Sequence, residues 1–105
     1  MPITKIASAD NWELTVPGRI DGAVANQLEI EILSAIRAGA KEVFINLSQA
    51  DFICSAGIRV LLQYYRQMKN NQKTLLVTRP SPNVASILEM TGFKDLIVAN
   101  TRPRT

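Results

Sequence analysis

The apolar run at residues 43–47, Val-Phe-Ile-Asn-Leu, is the feature that most constrains how this chain can fold. A near-continuous apolar run of this length is typical of a central strand that is covered on both faces of a parallel sheet. A second run of this kind follows at residues 73–78. Parallel neighbours need a long crossover between them, usually a helix. The two runs therefore predict a β-sheet with parallel central strands and helical connections.

Helical periodicity in the rest of the chain predicts three helices. The first is expected to start after Asp21, whose carboxylate can cap free amides, and to end at a C-cap on Gly39. The second follows a link at residues 48–53. The third starts at Ser81-Pro82, a capping serine followed by the residue type favoured at the first helical position. The apolar positions that define the inward faces are Val24, Leu28, Ile32, Ala35 and Ile36; Ile58, Leu61, Leu62, Tyr65 and Met68; and Val84, Ile87 and Leu88.

The segments near the two ends of the chain have the patterns of shorter strands. Residues 3–7 and 12–17 alternate apolar and polar positions, which is typical of half-exposed antiparallel strands, and Asp10-Asn11 between them predicts the turn. Residues 96–98 are expected to add an edge strand. The fold class predicted is therefore α/β, with a mixed sheet that starts with an antiparallel hairpin and continues with parallel β-α repeats.

Length and composition are those of one globular domain. The chain has 105 residues, 47% hydrophobic and 20% charged, which suits a single core and one domain over residues 1–105. No apolar run approaches the ~20 residues that cross a bilayer, and the first residues do not resemble a signal peptide, so we expect a stand-alone cytoplasmic protein. Histidine is absent and Cys54 is the only cysteine, which excludes an internal disulfide and argues against a metal or cofactor site.

The positive charge of the chain does not indicate a nucleic-acid partner. The formal net charge is +3, but the basic residues are scattered from Lys5 to Arg104 and form no stripe. They are not interleaved with the aromatic residues on which bases would stack. We therefore expect no direct binding to nucleic acid.

Residues 51–59, Asp-Phe-Ile-Cys-Ser-Ala-Gly-Ile-Arg, form the candidate functional segment. Small residues open the second helix here, so a partner could approach the backbone, and the free amides and helix dipole would favour an anion added to Ser55. The same residues also have ordinary structural explanations. Ser55 or Asp21 could be only a helix cap. Gly57 could serve only helix-to-strand packing, and Cys54 could be an inert small residue.

Four motifs, taken in order, resemble the STAS domain family, whose pattern combines a hairpin, a helix start after Gly-x-Ile-Asp, and a strand that leads through Phe-Ile to Ser-Ala-Gly. The motifs here are Gly18-Arg19-Ile20-Asp21, Phe-Ile-Asn-Leu-Ser at residues 44–48, Phe-Ile-Cys-Ser-Ala-Gly-Ile-Arg-Val-Leu-Leu at residues 52–62, and Ile-Leu-Glu-Met-Thr-Gly-Phe at residues 87–93. The similarity extends over residues 3–99. It implies a single STAS-like domain.

The resemblance also implies a function, that of an anti-sigma-factor antagonist and not of an enzyme. In this family the unphosphorylated domain captures an anti-sigma factor that is also a serine kinase, and so frees a sigma factor. By resemblance Ser55 is the phosphorylated residue, Asp21 lies near it, and the second helix forms part of the docking face. The expected partner-binding residues are Asp21, Cys54, Ser55, Ala56, Gly57 and Arg59. A phosphatase is a further expected partner, and we expect a monomer or weak homodimer.

Two departures from the family pattern and two alternatives accompany this prediction. Many members have aspartate where this chain has Cys54, and the chain ends soon after Val98, without the final helix often seen.

The spacing Cys-x-x-Gly-x-Arg at residues 54–59 also fits the loop of rhodanese-like sulfurtransferases, with Cys54 as an activated thiolate. Against it, the Asp-Val-Arg and Gly-His-Ile segments usual in rhodaneses are missing. The second alternative is a passive STAS interaction module without a phosphorylation switch.

Overall fold

The order of strands and helices follows the alternation predicted from the sequence, with two additional short strands. The computed structural model describes residues 3–92 and 97–98. Its elements are β1 (Thr4–Ala7), β2 (Asn11–Thr15), β3 (Gly18–Ile20), α1 (Gly22–Arg37), β4 (Glu42–Asn46), β5 (Ala50–Ile53), α2 (Ser55–Asn70), β6 (Thr74–Thr78), α3 (Pro82–Met90) and β7 (Ile97–Val98). In this described part of the chain, no helix is long and apolar enough to cross a membrane.

The main sheet has five strands in the order β1-β2-β4-β6-β7. β1 and β2 are antiparallel, and each later neighbour pair is parallel. The predicted α/β fold with an N-terminal hairpin and parallel β-α repeats is therefore confirmed. The turn differs slightly, because the Ser8 amide donates to the Asn11 carbonyl at 2.9 Å and Asn11 already belongs to β2. The predicted edge strand is present at residues 97–98, while residue 96 lies outside the described residues.

Only one face of the main sheet is buried among the described residues. The buried side chains on that face are Trp12, Leu14, Val43, Ile45, Leu75 and Val77. On the other face Phe44 and Leu76 are half-buried neighbours in register, and Ile6 in the edge strand is 69% exposed. The prediction that residues 43–47 form a strand covered on both faces is wrong in this respect. Successive side chains in a strand point to opposite faces, and Phe44 points to the open one.

A second, two-stranded sheet was not predicted. β3 pairs in parallel with β5, and the residues aligned at its end are Ile20 and Ile53. The predicted link at residues 48–53 therefore contains a strand. Both strands are too short for alternation to be recognised, and their pairing joins segments far apart in the sequence. This small sheet matters because α1 and α2 begin directly after it.

The ends of α1 and α3 follow the predicted capping residues. Asp21 Oδ1 accepts a hydrogen bond from the Val24 amide at 3.0 Å. At the other end of α1 the C-cap is Ala38, and Gly39 follows with φ of +85°, so the glycine supplies the left-handed residue one position after the predicted C-cap. Ser81 caps α3 in the same way, with Oγ accepting from the Val84 amide at 3.4 Å.

The inward face of α2 is rotated slightly from the predicted one. Tyr64 is buried and Tyr65 is only half-buried, whereas the sequence pattern favoured Tyr65. The Tyr64 hydroxyl donates to Glu29 Oε2 of α1 at 2.6 Å. Burial, this hydrogen bond and the negative charge of Glu29 together raise the pKa of Tyr64 to about 12. The bond fixes α2 against α1.

Replacing Tyr64 by phenylalanine should lower the free energy of unfolding by roughly 1 kcal/mol at pH 7, because the hydrogen bond to a carboxylate is lost. The ordinary tyrosine pKa is 10.0, so the folded state holds this proton more tightly than the unfolded state. The stabilisation is complete below pH 10 and is lost as the pH rises toward 12. Urea unfolding at pH 7 and over this alkaline range checks both points.

The matched control for this prediction is Tyr65→Phe on the neighbouring position. Tyr65 is half-buried, and the hydrogen bond to Glu29 is made by the hydroxyl of Tyr64, so removal of the Tyr65 hydroxyl leaves that bond intact. We expect this control to keep the alkaline loss of stability seen in the parent. A parent and a Tyr64→Phe variant with the same pH dependence would contradict the role given to the hydrogen bond.

Candidate functional site: two helix starts at the end of the small sheet

The small sheet places the starts of α1 and α2 side by side. The Cys54 amide donates to the Ile20 carbonyl at 2.9 Å, which extends the pairing of β3 and β5 by one step. Because the two strands are parallel, the residues that follow them leave the same edge of the sheet. Asp21 and Cys54 are these residues, and they are the N-caps of α1 and α2. The fold thus brings the Asp21 segment next to the Cys54-Ser55 segment.

The two helix starts differ in how their amides are satisfied. Asp21 caps α1 with its carboxylate, whereas Cys54 makes no side-chain capping hydrogen bond to α2. A thiol is a weak acceptor, so the first amides of α2 keep their capacity to bind an anion. Ser55 is the first residue of α2 and not its N-cap, so the ordinary explanation of Ser55 as a cap is wrong. Its side chain is exposed.

Most of the predicted site residues lie on the surface. Asp21 and Ser55 are exposed, as is Arg59 one turn further along α2. Cys54 and Ala56 are half-buried at the helix start. The exposed edge formed by these five residues is called the helix-start surface below.

Gly57 does not belong to this surface. It is buried, and a Cβ atom there would lie 2.8 Å from Ile53 Cγ1 and 3.1 Å from Ile20 Cγ2. The prediction that Gly57 permits close approach of a partner is wrong, because its open side faces the interior. Its lack of a side chain lets α2 pack on the ends of β3 and β5.

A cation-π pair on the small sheet was missed by the sequence analysis. Arg19 and Phe52 are aligned in β3 and β5, and the guanidinium carbon lies 4.2 Å from the centroid of the ring. Arg19 is exposed and Phe52 is half-buried. The two residues belong to the STAS-like motifs at residues 18–21 and 52–62. The sequence did not predict their contact, because it depends on the pairing of β3 with β5. The pair lies next to the helix-start surface.

Comparison with known proteins identifies the family. The profile of the STAS domain matches residues 4–105. The chain belongs to the STAS family. BtrV of Bordetella bronchiseptica, which is named as an anti-sigma factor antagonist, is 35% identical over 86 residues, covering 81% of this chain and 74% of BtrV.

Solved structures with the same fold include two forms of one antagonist. The anti-sigma factor antagonist SpoIIAA in its unphosphorylated form superposes with a TM-score of 0.83 at 17% identity, covering 96% of this STAS domain and 90% of that chain. Bacillus SpoIIAA in the phosphorylated form gives a TM-score of 0.76 at 16% identity, covering 96% and 93%. These likenesses show that the STAS fold is shared.

The sulfurtransferase alternative finds no support in this geometry. Residues 55–70 of the STAS domain form a regular helix, and Arg59 projects to solvent one turn into it. The backbone after Cys54 therefore does not curl into a loop around the thiol. The spacing of Cys54, Gly57 and Arg59 is accounted for by a helix start that packs on the small sheet.

Proposed function

We propose that this STAS domain is an anti-sigma factor antagonist that binds an anti-sigma factor with serine kinase activity and is released when that kinase phosphorylates Ser55. The observation that carries the proposal is the exposed Ser55 at the first position of α2, a helix whose cap residue leaves its amides without a side-chain acceptor. The name of BtrV supports the antagonist role. The existence of SpoIIAA in two phosphorylation forms supports the switch.

The chemistry of the proposed switch is a phosphoryl transfer. The Ser55 Oγ attacks the γ-phosphorus of ATP held by the kinase, the bond to the β-phosphate oxygen breaks, ADP leaves, and the hydroxyl proton passes to a base on the kinase. The product carries a phosphate at the positive end of α2, where amides and the helix dipole favour negative charge. Many members of the STAS family have an aspartate at the position of Cys54. The thiol of Cys54 adds no carboxylate beside that phosphate.

The proposed docking face is the helix-start surface together with the outer side of α2. Asp21 contributes an exposed carboxylate that is held in place by its bond to the Val24 amide. Phosphate on Ser55 would lie within this face, so the same residue can control binding without a change of fold. A phosphatase that hydrolyses the phosphoserine would restore the binding form. We place this cycle in the cytoplasm, where anti-sigma factors act.

A cognate kinase with ATP should add one phosphate, and it should be on Ser55. Position decides this, because Ser55 combines exposure with a helix start, whereas the Ser81 hydroxyl is held by the Ala50 carbonyl at 2.6 Å. Intact-mass measurement gives the number of phosphates, and peptide mapping by mass spectrometry gives their place. Ser86→Ala, a change at an exposed serine of α3, should be labelled like the parent. Full labelling of Ser55→Ala would contradict the proposal.

A further inference from the structure

Arg59 lies one turn after Ser55 and has no acidic neighbour on its own helix. Both side chains are exposed, and residues four apart in a helix are neighbours on one face. Residues 55–70 contain no aspartate or glutamate. Among residues 3–92, an ion pair joins Lys5 to Glu31, and Arg59 forms none with a carboxylate of this part of the chain. Its guanidinium is on an exposed side chain beside the proposed phosphorylation site.

We propose that a phosphate on Ser55 binds the guanidinium of Arg59, and that phosphorylation thereby withdraws Arg59 from the docking face. This inference rests on the proposed function, since it concerns the same serine. An anion placed four residues before a cation is the favourable order in a helix, because it also agrees with the helix dipole. Guanidinium and phosphate match in geometry and form charge-assisted hydrogen bonds.

The consequence is a switch in which one side chain has two alternative partners. In the unmodified protein Arg59 pairs with a carboxylate on the surface of the anti-sigma factor. In the phosphorylated protein it is held by the phosphate one turn away. Asp21 is the charged residue at the adjacent helix start, and its Oδ1 accepts from the Val24 amide. None of the substitutions compared below changes Asp21, so its carboxylate is common to all the proteins in the comparison.

The test is the second pKa of the phosphoserine, followed by phosphorus NMR over a pH titration. Phosphoserine is placed at position 55 by genetic encoding, so no kinase is required. Arg59 should lower this pKa, and Arg59→Gln should raise it by about half a unit relative to the parent. Arg66→Gln is the matched control. Arg66 is exposed on the same side of α2 but lies ~16 Å along the helix from Ser55, so this variant should titrate like the parent.

Two results would overturn the inference. Equal pKa values in the parent and Arg59→Gln would show that the phosphate does not bind Arg59. An equal shift in Arg66→Gln would show that only the general charge of α2 is felt. Because the titration needs no kinase, a failure of Ser55 labelling would overturn the proposed function and leave this result standing.

A second measurement tests the withdrawal of Arg59. Calorimetric titration with the anti-sigma factor should show that Arg59→Gln weakens binding of the unmodified protein several-fold and has at most a small effect on the phosphorylated protein. The reason is that the phosphate already occupies Arg59 in the second case. Equal losses in both forms would mean that Arg59 stays on the docking face after phosphorylation, which would contradict the withdrawal.

Discussion

Replacing Gly57 by valine should lower the free energy of unfolding by about 3 kcal/mol, the upper part of the range for overpacked cores. The Cβ of any new side chain would lie 2.8 Å from Ile53 Cγ1 and 3.1 Å from Ile20 Cγ2. Both isoleucines are fully buried and lie at the ends of paired strands, so they have little room to move. Valine adds two further methyl groups against the same atoms. Urea denaturation followed by circular dichroism measures the loss.

Gly22→Val is the matched control for this substitution. Gly22 is the first residue of α1, and a Cβ there would meet no atom within 4 Å. The same replacement at this exposed helix start should change the stability by no more than about 0.5 kcal/mol. A Gly57→Val variant as stable as the parent would show that α2 has room at this position. The glycine would then again be a candidate for close approach by a partner.

Gly57 illustrates which part of the site could be predicted from the sequence. The small residues after Cys54 predicted a helix start, and the start is at Ser55. The direction in which each residue faces was not predictable in the same way, because one position along a helix turns a side chain by about 100°. The exchange of Tyr65 for Tyr64 on the inward face of α2 has the same cause. Rotation of a helix is set by packing, which the local pattern reflects only on average.

The success of the fold prediction follows the strength of the local signals. Asp21 and Ser81 are strong capping residues, and each caps the helix predicted for it. The pairing of β3 with β5 was missed because strands of three and four residues carry little pattern, and their contact is long-range. The open face of the main sheet was missed because Phe44 is apolar but only half-buried. An apolar side chain need not be covered.

Phosphorylation of Ser55 should weaken binding to the proposed kinase partner by about two orders of magnitude, whereas Ser55→Ala should bind like the unmodified parent. The alanine removes one exposed hydroxyl and leaves the shape of the helix start unchanged. The phosphate adds roughly 1.5 to 2 negative charges to a surface that must lose its water on docking. A cost of about 3 kcal/mol, typical of stranding a charge at an interface, corresponds to this loss of affinity. Ser55→Asp has a smaller charge and should fall between.

Isothermal titration calorimetry measures these affinities. The kinase is supplied with ADP in place of ATP, so that the unmodified protein cannot be phosphorylated during the experiment. Ser86→Asp is the control for charge alone, since Ser86 is an exposed residue of α3 outside the proposed docking face. It should bind like the parent, although its net charge equals that of Ser55→Asp. Equal affinities of the parent, Ser55→Ala and the phosphorylated protein would mean that the helix-start surface is not a phosphorylation switch. This chain would then act as a passive STAS interaction module, whose partner is indifferent to the charge at the start of α2.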